Sequence, residues 1–376
     1  MKTIVINALS ALQGGGQTYL INLLSNFTEY KDTRVVVIAP KKYEYLFNNY
    51  KNSAIEILAP EFPSKSIFHR FLWEKFRLPN LLRELDASVL YCPGGIVLVK
   101  NLSKCKIAVA FRNMLPFATN EIKRYPSGYM RFRLWLLRFF LARSFKKANL
   151  VIFISNYAKG IIDKFVPLRR GKSVVIPHGI GKQFLKNENR RSSPLPYGYV
   201  LYVSYMDVYK NQLEVIEAWK YLKEMRSTYE KLVLIGPASM RYLHKIMKRI
   251  EDYGLKDDII CLGNVKYDDL PAYYQFAKIN IFASTCENCP NILLEAMASG
   301  RPLFCSNHMP MPEFASDAAI YFDPYNPREL ADLLVRYIDN SEFLDKLGER
   351  AYEHSLGFNA RISAQKTWNA LLELIN

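Results

Sequence analysis

Two doubly wound α/β domains in series are what this sequence predicts, on three observations. Short β-branched runs alternate with helix-length segments, the rhythm stops and restarts once, and 376 residues are too many for one compact core but suit two of ordinary size. The runs are apolar without strict alternation, which marks strands of a parallel sheet buried on both faces.

The first series is "TIVINA" (3–8), "RVVVIAP" (34–40), "SVLYCPG" (88–94), "KIAVAFRN" (106–113) and "NLVIFIS" (149–155). The second is "YVLYVSY" (199–205), "KLVLIGP" (231–237), "DIICLGN" (258–264), "INIFAS" (279–284), "PLFCSN" (302–307) and "AIYFDP" (319–324). Between them "SVVIPHGIGKQFLKNENRRSSPLPYG" gathers Pro, Gly, Ser and charge and reads as the link. The expected domains are 1–176, completed by a C-terminal helix over 359–376, and 177–358. Open parallel sheets bind ligands at the carboxyl ends of their strands, so two such sheets facing one another predict chemistry in a cleft.

Composition narrows the class. The longest apolar run, "LWLLRFFLA" (134–142), is broken by arginine and falls short of the roughly 20 residues a membrane span needs. "MKTIVINALSA" breaks at Asn7 and leads into glycines, a first strand rather than a signal peptide. Six cysteines at irregular positions make no secreted disulfide framework and point to a reducing cytosol. Cys286-x-x-Cys289 has no second pair at ligand spacing and reads as two thiols packed in a loop. The net charge of +16 is one-sided: residues 1–170 hold 27 Lys/Arg against 10 Asp/Glu, and residues 171–376 hold 24 against 25. The first half should therefore meet something anionic: a phospholipid surface, a nucleic acid or a phosphorylated substrate.

Three segments carry candidate chemistry. Gly14, Gly15 and Gly16 in "QGGGQTYLINLL" allow a tight turn and a close backbone approach ahead of a helix N-terminus, which suits a phosphate or the departing end of a substrate. A purely structural turn would use the same residues. In "YVLYVSYMDVYKNQLEVIEAW" Lys210 stands at a helix entrance, where it can pair with a diphosphate. In "STCENCPNILLEAMASG" (284–300) Glu287 lies in the loop after a strand, and Glu295 lies one turn inside the following helix, which Gly300 can end. A nucleotide-sugar laid across this element would set its sugar hydroxyls by Glu287, its diphosphate by the helix start near Asn291 and its ribose by Glu295.

Glu287 and Glu295 form an E-x7-E motif, and "ENCPNILLEAMASGRPLFCSN" resembles the donor loop and helix of glycosyltransferase family 4, whose members are retaining enzymes of the GT-B fold. The similarity runs over nearly the whole chain, through the glycines at 14–16, "SNYAKGII" (155–162), "VIPHGI" (175–180), "YVSYMDVYKNQ", "LIGP" (234–237), "GNVKYDDLPAYY" (263–274) and "PEFASDAAIYFDP" (312–324). The resemblance implies a GT-B α/β architecture of two Rossmann-like domains facing across a cleft, the first binding acceptor and the second the nucleotide-sugar donor. It implies that Lys210 binds the diphosphate, Glu287 the transferred sugar and Glu295 the ribose. Backbone groups of Pro290, Asn291 and Ile292 would meet sugar and phosphate. Two positions depart from the family pattern. Tyr205 stands where an arginine often precedes the lysine, and Arg112-Asn113 replaces a frequent His-Asp pair and would contact the transferred sugar or acceptor.

No D-x-D triplet occurs. Lys210, the helix start and the glycine loop can stabilise a departing diphosphate, so neither metal nor cofactor is expected. The implied chemistry is retaining transfer to a glycan or lipid-linked acceptor in cell-surface polysaccharide (O-antigen, capsule or lipopolysaccharide) synthesis, by front-face displacement. A sugar-nucleotide epimerase of the same fold and a basic nucleic-acid-binding protein are the competing readings; the motif series opposes the first, and no recognised nucleic-acid module supports the second. Removing Lys210 or Glu295 is expected to spare the fold. The basic half is expected to dock on an anionic cytoplasmic membrane through "YMRFRLWLLRFFLARSFKKA" (129–148). There Leu134, Leu137 and Leu141 follow helical spacing with Phe132, Trp135 and Phe139 nearby, among Arg131, Arg133, Arg138, Arg143, Lys146 and Lys147. "FHRFLWEKFR" (68–77) would add to that surface; ordinary core aromatics beneath a solvated basic face are the alternative.

Overall fold

A computed structural model describes residues 2–11, 15–28, 32–99, 104–168, 171–187 and 192–375. The chain divides into two compact units, the first made of 1–119, 126–179 and 360–376 and the second of 120–125 and 180–359. The boundaries read from sequence were 176/177 and 358/359. Residues 120–125 group with the second unit although the chain on either side of them belongs to the first.

The strands are β1 (Lys2–Asn7), β2 (Thr33–Ile38), β3 (Ile55–Leu58), β4 (Ala87–Cys92), β5 (Lys106–Phe111), β6 (Leu150–Phe153) and β7 (Ser173–Val175) in the first unit. Those of the second are β8 (Tyr199–Val203), β9 (Lys231–Ile235), β10 (Ile259–Gly263), β11 (Ile279–Phe282), β12 (Leu303–Ser306) and β13 (Ile320–Phe322). The helices up to the link are α1 (Gly15–Ser25), α2 (Ile67–Phe76), α3 (Leu78–Glu84), α4 (Thr119–Arg124), α5 (Tyr129–Lys147) and α6 (Asn156–Phe165). Beyond it come α7 (Gln212–Met225), α8 (Met240–Asp252), α9 (Leu270–Phe276), α10 (Asn291–Ala298), α11 (Met311–Ala315), α12 (Pro327–Tyr337), α13 (Ser341–Ser355) and α14 (Ala360–Glu373).

Among the described residues the first unit holds a parallel seven-stranded sheet, ordered 3-2-1-4-5-6-7. Alternate residues divide its two faces. Ile4, Ile6, Val35, Val37, Val89 and Tyr91 pack with Leu20 and Leu24 of α1 and with Trp368 and Leu371 of α14. The Trp368 indole donates to the Leu23 carbonyl at 3.0 Å. On the opposite face Asn7 donates to Glu74 of α2 at 3.1 Å, and Phe145 of α5 packs on Phe111 and Phe153 with ring centroids 5.4 and 6.5 Å away. Therefore α2 and α5 cover the same face of the sheet.

The apolar pattern of α5 resolves into two sides. Leu134, Leu141 and Phe145 are buried, whereas Tyr129, Phe132, Trp135 and Phe139, at steps of three and four residues, stand 78, 59, 59 and 53% exposed. Leu134 and Leu141 thus belong to the core and only the aromatics form an outer row, so the expected single leucine–aromatic face is corrected. Arg138 turns inward as well: it donates to the Pro116 carbonyl at 2.7 Å and to Thr119 Oγ1 at 3.2 Å. On α2, Ile67, Phe68 and Phe76 are exposed, and Trp73 is buried. No helix among the described residues is long and apolar enough to cross a membrane.

Among the described residues the second unit carries a parallel six-stranded sheet, ordered 10-9-8-11-12-13. Its six strands fall on the six apolar runs of the second series. Each sheet reverses its winding once, between β1 and β4 in the first and between β8 and β11 in the second. Crevices at such reversals, at the carboxyl ends of the strands, are where open α/β sheets take ligands. The loops after β1, β8 and β11 carry the glycine turn, Lys210 and Glu287 respectively.

Candidate active site

Lys210 is positioned by a short turn after β8. The Asp207 side chain accepts from the Val208 N–H at 2.7 Å and opens a 3₁₀ turn over Val208–Lys210. Asn211 then adopts a left-handed conformation (φ 55°), where a short polar side chain is tolerated, and donates to the Ala283 carbonyl at 2.6 Å. The neighbouring loop is tied to the same turn, because the Thr285 N–H donates to the Tyr209 carbonyl at 2.9 Å. Tyr202 closes the arrangement by donating to the Lys210 carbonyl at 2.5 Å.

These bonds bring Lys210 against Glu287, and Nζ makes an ion pair with Oε1. Lys210 is 6% exposed and lies 5.1 and 5.7 Å from the ring centroids of Tyr209 and Phe282. Glu287 is half-buried. After Glu287, Cys289 and Pro290 are buried and α10 begins with no side chain capping its N-terminus. Its leading N–H groups are left to the loop side, with the positive end of the helix dipole. Asn291 Oδ1 is buried and accepts from none of the described residues. Ile292 is half-buried.

Glu295 sits one turn further on, 5% exposed, and accepts from the Tyr267 hydroxyl at 3.0 Å. Burial pushes its carboxyl up to about 7, with the Tyr267 and Tyr274 hydroxyls pulling the other way. Lys210 and Glu295 are both core-like in exposure, so the premise that removing either would take no core volume is corrected. Tyr205, two residues past β8, is 47% exposed, and its carbonyl accepts from Gln212 at 3.3 Å. Cys286 and Cys289 are buried and unbridged.

The glycine turn and Arg112 belong together in the first unit. Gly14 lies outside the described residues. A Cβ on Gly16 would stand 1.6 Å from the Ala11 carbonyl oxygen, so position 16 has no room for a side chain. Arg112, one residue past β5, donates to the Gly15 carbonyl at 2.7 Å and lies over the Tyr19 ring at 4.5 Å. Tyr19 bonds Tyr91 hydroxyl to hydroxyl at 2.5 Å and meets the His178 ring edge-on at 5.3 Å. Burial, and secondarily the Arg112 charge, hold the His178 imidazole well below its ordinary pKa, so it is neutral at pH 7. Asn113 is exposed and accepts from the Leu115 N–H at 3.2 Å. Lys210 and Glu287 are thus paired on adjoining loops with Glu295 in the helix that follows, whereas Arg112 is engaged by the glycine turn. Sequence reasoning missed Tyr267, Tyr19 and His178. Each is one aromatic among many along the chain, and only its neighbours in space single it out.

Residues 185–354 match the family described as glycosyl transferases group 1, and residues 13–183 the one described as Glycosyltransferase Family 4. The two stretches leave only residues 1–12, 184 and 355–376 unmatched. The chain belongs to the group 1 glycosyltransferases. It is 23% identical over 239 residues to O-antigen chain mannosyltransferase B of Escherichia coli, covering 61% of this chain and 62% of that one. It is 25% identical over 209 residues to a Campylobacter jejuni N-acetylgalactosamine-N,N'-diacetylbacillosaminyl-diphospho-undecaprenol 4-alpha-N-acetylgalactosaminyltransferase, covering 54% of each. Less than two thirds of either relative's own length is spanned. In fold, the structure of Anabaena Alr3699/HepE in complex with UDP and glucose superposes with a TM-score of 0.73 at 16% identity, covering 99% of this chain and 100% of that one. The glycosyltransferase fold of two parallel-sheet, Rossmann-like units follows from that likeness and from the two sheets described above.

Proposed function

We propose that this glycosyltransferase moves a sugar, with retention of anomeric configuration, from a nucleotide-sugar to a lipid-linked glycan during cell-surface polysaccharide synthesis. The observation that carries the reading is the convergence of Lys210, Glu287, the uncapped start of α10 and Glu295 at the winding reversal of the second sheet. Lys210 and the α10 N–H groups take the diphosphate, Glu287 the sugar hydroxyls and Glu295 the ribose, and Asn291 Oδ1 offers a further acceptor to a sugar hydroxyl. The E. coli and C. jejuni relatives are named for an O-antigen chain and for an undecaprenol-linked acceptor, which supports the acceptor class.

In the reaction the acceptor hydroxyl oxygen bonds to the anomeric carbon on the face from which the diphosphate leaves. The carbon–oxygen bond to the β-phosphate breaks, and a β-phosphate oxygen takes the hydroxyl proton. Negative charge accumulates on the departing diphosphate, where Lys210 and the helix dipole lower its energy. Lys210 is held by Glu287 before the donor arrives, so phosphate and carboxylate share one cation in the complex. No metal or cofactor is required in this reading.

The lipid-linked acceptor places the enzyme at the anionic inner face of the cytoplasmic membrane. The outer row Tyr129, Phe132, Trp135 and Phe139 on α5, flanked by exposed Arg133, Arg143 and Lys146, is the surface for it. Exposed aromatics amid cations suit a headgroup boundary, and each cation near such a surface contributes about 1 kcal/mol.

The experiment is incubation of the protein with a panel of nucleotide-sugars and polyprenyl-diphosphate-linked glycans, with and without EDTA. Transfer from one donor, with retained configuration by NMR and undiminished by EDTA, is expected. Inverted product removes the retaining assignment, loss with chelator removes the metal-free one, and absence of turnover with every donor removes the reading.

A further inference from the structure

Residues 120–125 form a polar clamp on the second unit that the proposed reaction does not itself use. Glu121 is 4% exposed, and Tyr125 is buried with it. Arg124 donates to Glu121 at 3.0 Å and to Glu214, in the first turn of α7, at 2.9 Å. Its guanidinium also lies over the Tyr325 ring at 5.1 Å, and the Tyr325 hydroxyl donates to Glu121. Arg124 and the buried Glu121 carboxylate therefore join the α4 segment to two stretches that are distant in sequence, Glu214 of α7 and Tyr325.

Both loops of the candidate site abut this clamp. Tyr125 neighbours the Asp207 carboxylate that opens the turn ending at Lys210, and Glu214 follows Lys210 by four residues. On the other side Tyr325 neighbours Thr285, two residues before Glu287 in the chain. The Lys210 turn and the Glu287 loop are bonded to one another through Thr285 and Tyr209, so a shift of the clamp reaches both.

We propose that Arg124 is a positioning residue for donor binding: through Glu121, Glu214 and Tyr325 it fixes the turn of Lys210 relative to the loop of Glu287. The inference rests on the nucleotide-sugar reading of the Lys210–Glu287 site. It adds to that reading a segment from the first half of the sequence, far from the donor motif.

The test is titration calorimetry of UDP and of GDP into the wild-type chain and into Arg124→Ala, Arg124→Lys, Tyr325→Phe, Lys210→Met, Glu295→Gln and Arg226→Ala. The last removes a different ion pair of the same unit, Arg226–Asp339 at 2.6 Å. Expected is a tenfold weaker Kd for Arg124→Ala, recovery to within threefold of wild type in Arg124→Lys, a measurable loss in Tyr325→Phe and a change under twofold in Arg226→Ala. A Kd within twofold of wild type for Arg124→Ala overturns the inference, as does an equal loss in Arg226→Ala, which would mark a general effect on folding. If Lys210→Met and Glu295→Gln also bind like wild type, or the wild type binds neither diphosphate, the nucleotide-sugar reading falls first and this inference with it.

Discussion

Replacing Lys210 by Met should expose how much of the second unit's stability is tied up in its site. The side chain is 7% exposed and its partner Glu287 15%. Methionine keeps the apolar contact with the Tyr209 and Phe282 rings but leaves the Glu287 carboxylate without its cation. Breaking a buried pair by removing one partner costs about 3–5 kcal/mol, and the partial exposure of Glu287 puts this case near about 3 kcal/mol. In the double variant Lys210→Met/Glu287→Gln no charge is stranded, so its cost should fall below the sum of the single changes by about 2 kcal/mol. Urea denaturation of the four proteins at neutral pH measures the cycle, and repetition in high salt should alter the coupling little because the pair is shielded from solvent. Additivity within about 0.5 kcal/mol would refute the argument, since it would mean that the two groups do not depend on one another.

Glu295, raised from 4.5 to about 7, binds its proton more tightly in the folded chain than in the unfolded one, so its stabilising contribution is complete below pH 4.5 and is lost as pH rises through 7. The loss approaches about 3 kcal/mol, and the stability of Glu295→Gln relative to wild type should climb over that window; parallel curves contradict the shift. Gly16→Ala forces a Cβ onto the Ala11 carbonyl and should destabilise the first unit by about 2 kcal/mol in a thermal melt, with an unchanged melt contradicting the turn geometry. Phe132→Ser/Trp135→Ser/Phe139→Ser removes only exposed rings, so the melting temperature should hold while sedimentation with anionic vesicles drops; retained sedimentation would clear this row of any docking role.

The inner strands of the second unit, β9, β8, β11 and β12, were legible because each is an apolar run buried on both faces, as "LVLI" at 232–235 shows. β3 and β7 escaped notice for the opposite reason. They are the edges of the first sheet, β3 alternates buried and half-buried residues, and all three residues of β7 are half-buried. "SVV" consequently read as the start of the link. The E-x7-E pair was visible because loop and helix are contiguous in sequence. The ion pair between Lys210 and Glu287, 77 residues apart, was not, because it depends on β8 and β11 being neighbours in the sheet. Neither was the clamp of residues 120–125, whose sequence neighbours all belong to the other unit. The leucines and aromatics of α5 share a helical period, and only packing on Phe111 and Phe153 shows which of them face inward.

The central claim is that Lys210, Glu287, the start of α10 and Glu295 form one donor site, and a crystal structure with a bound nucleotide-sugar tests it most directly. The account predicts phosphate oxygens within hydrogen-bond distance of Lys210 Nζ and of the N–H groups at Asn291 and Ile292, ribose hydroxyls on Glu295 and sugar hydroxyls on Glu287. A nucleotide-sugar bound elsewhere, with Lys210 and Glu287 still paired only to each other and Glu295 bonded only to Tyr267, would contradict it.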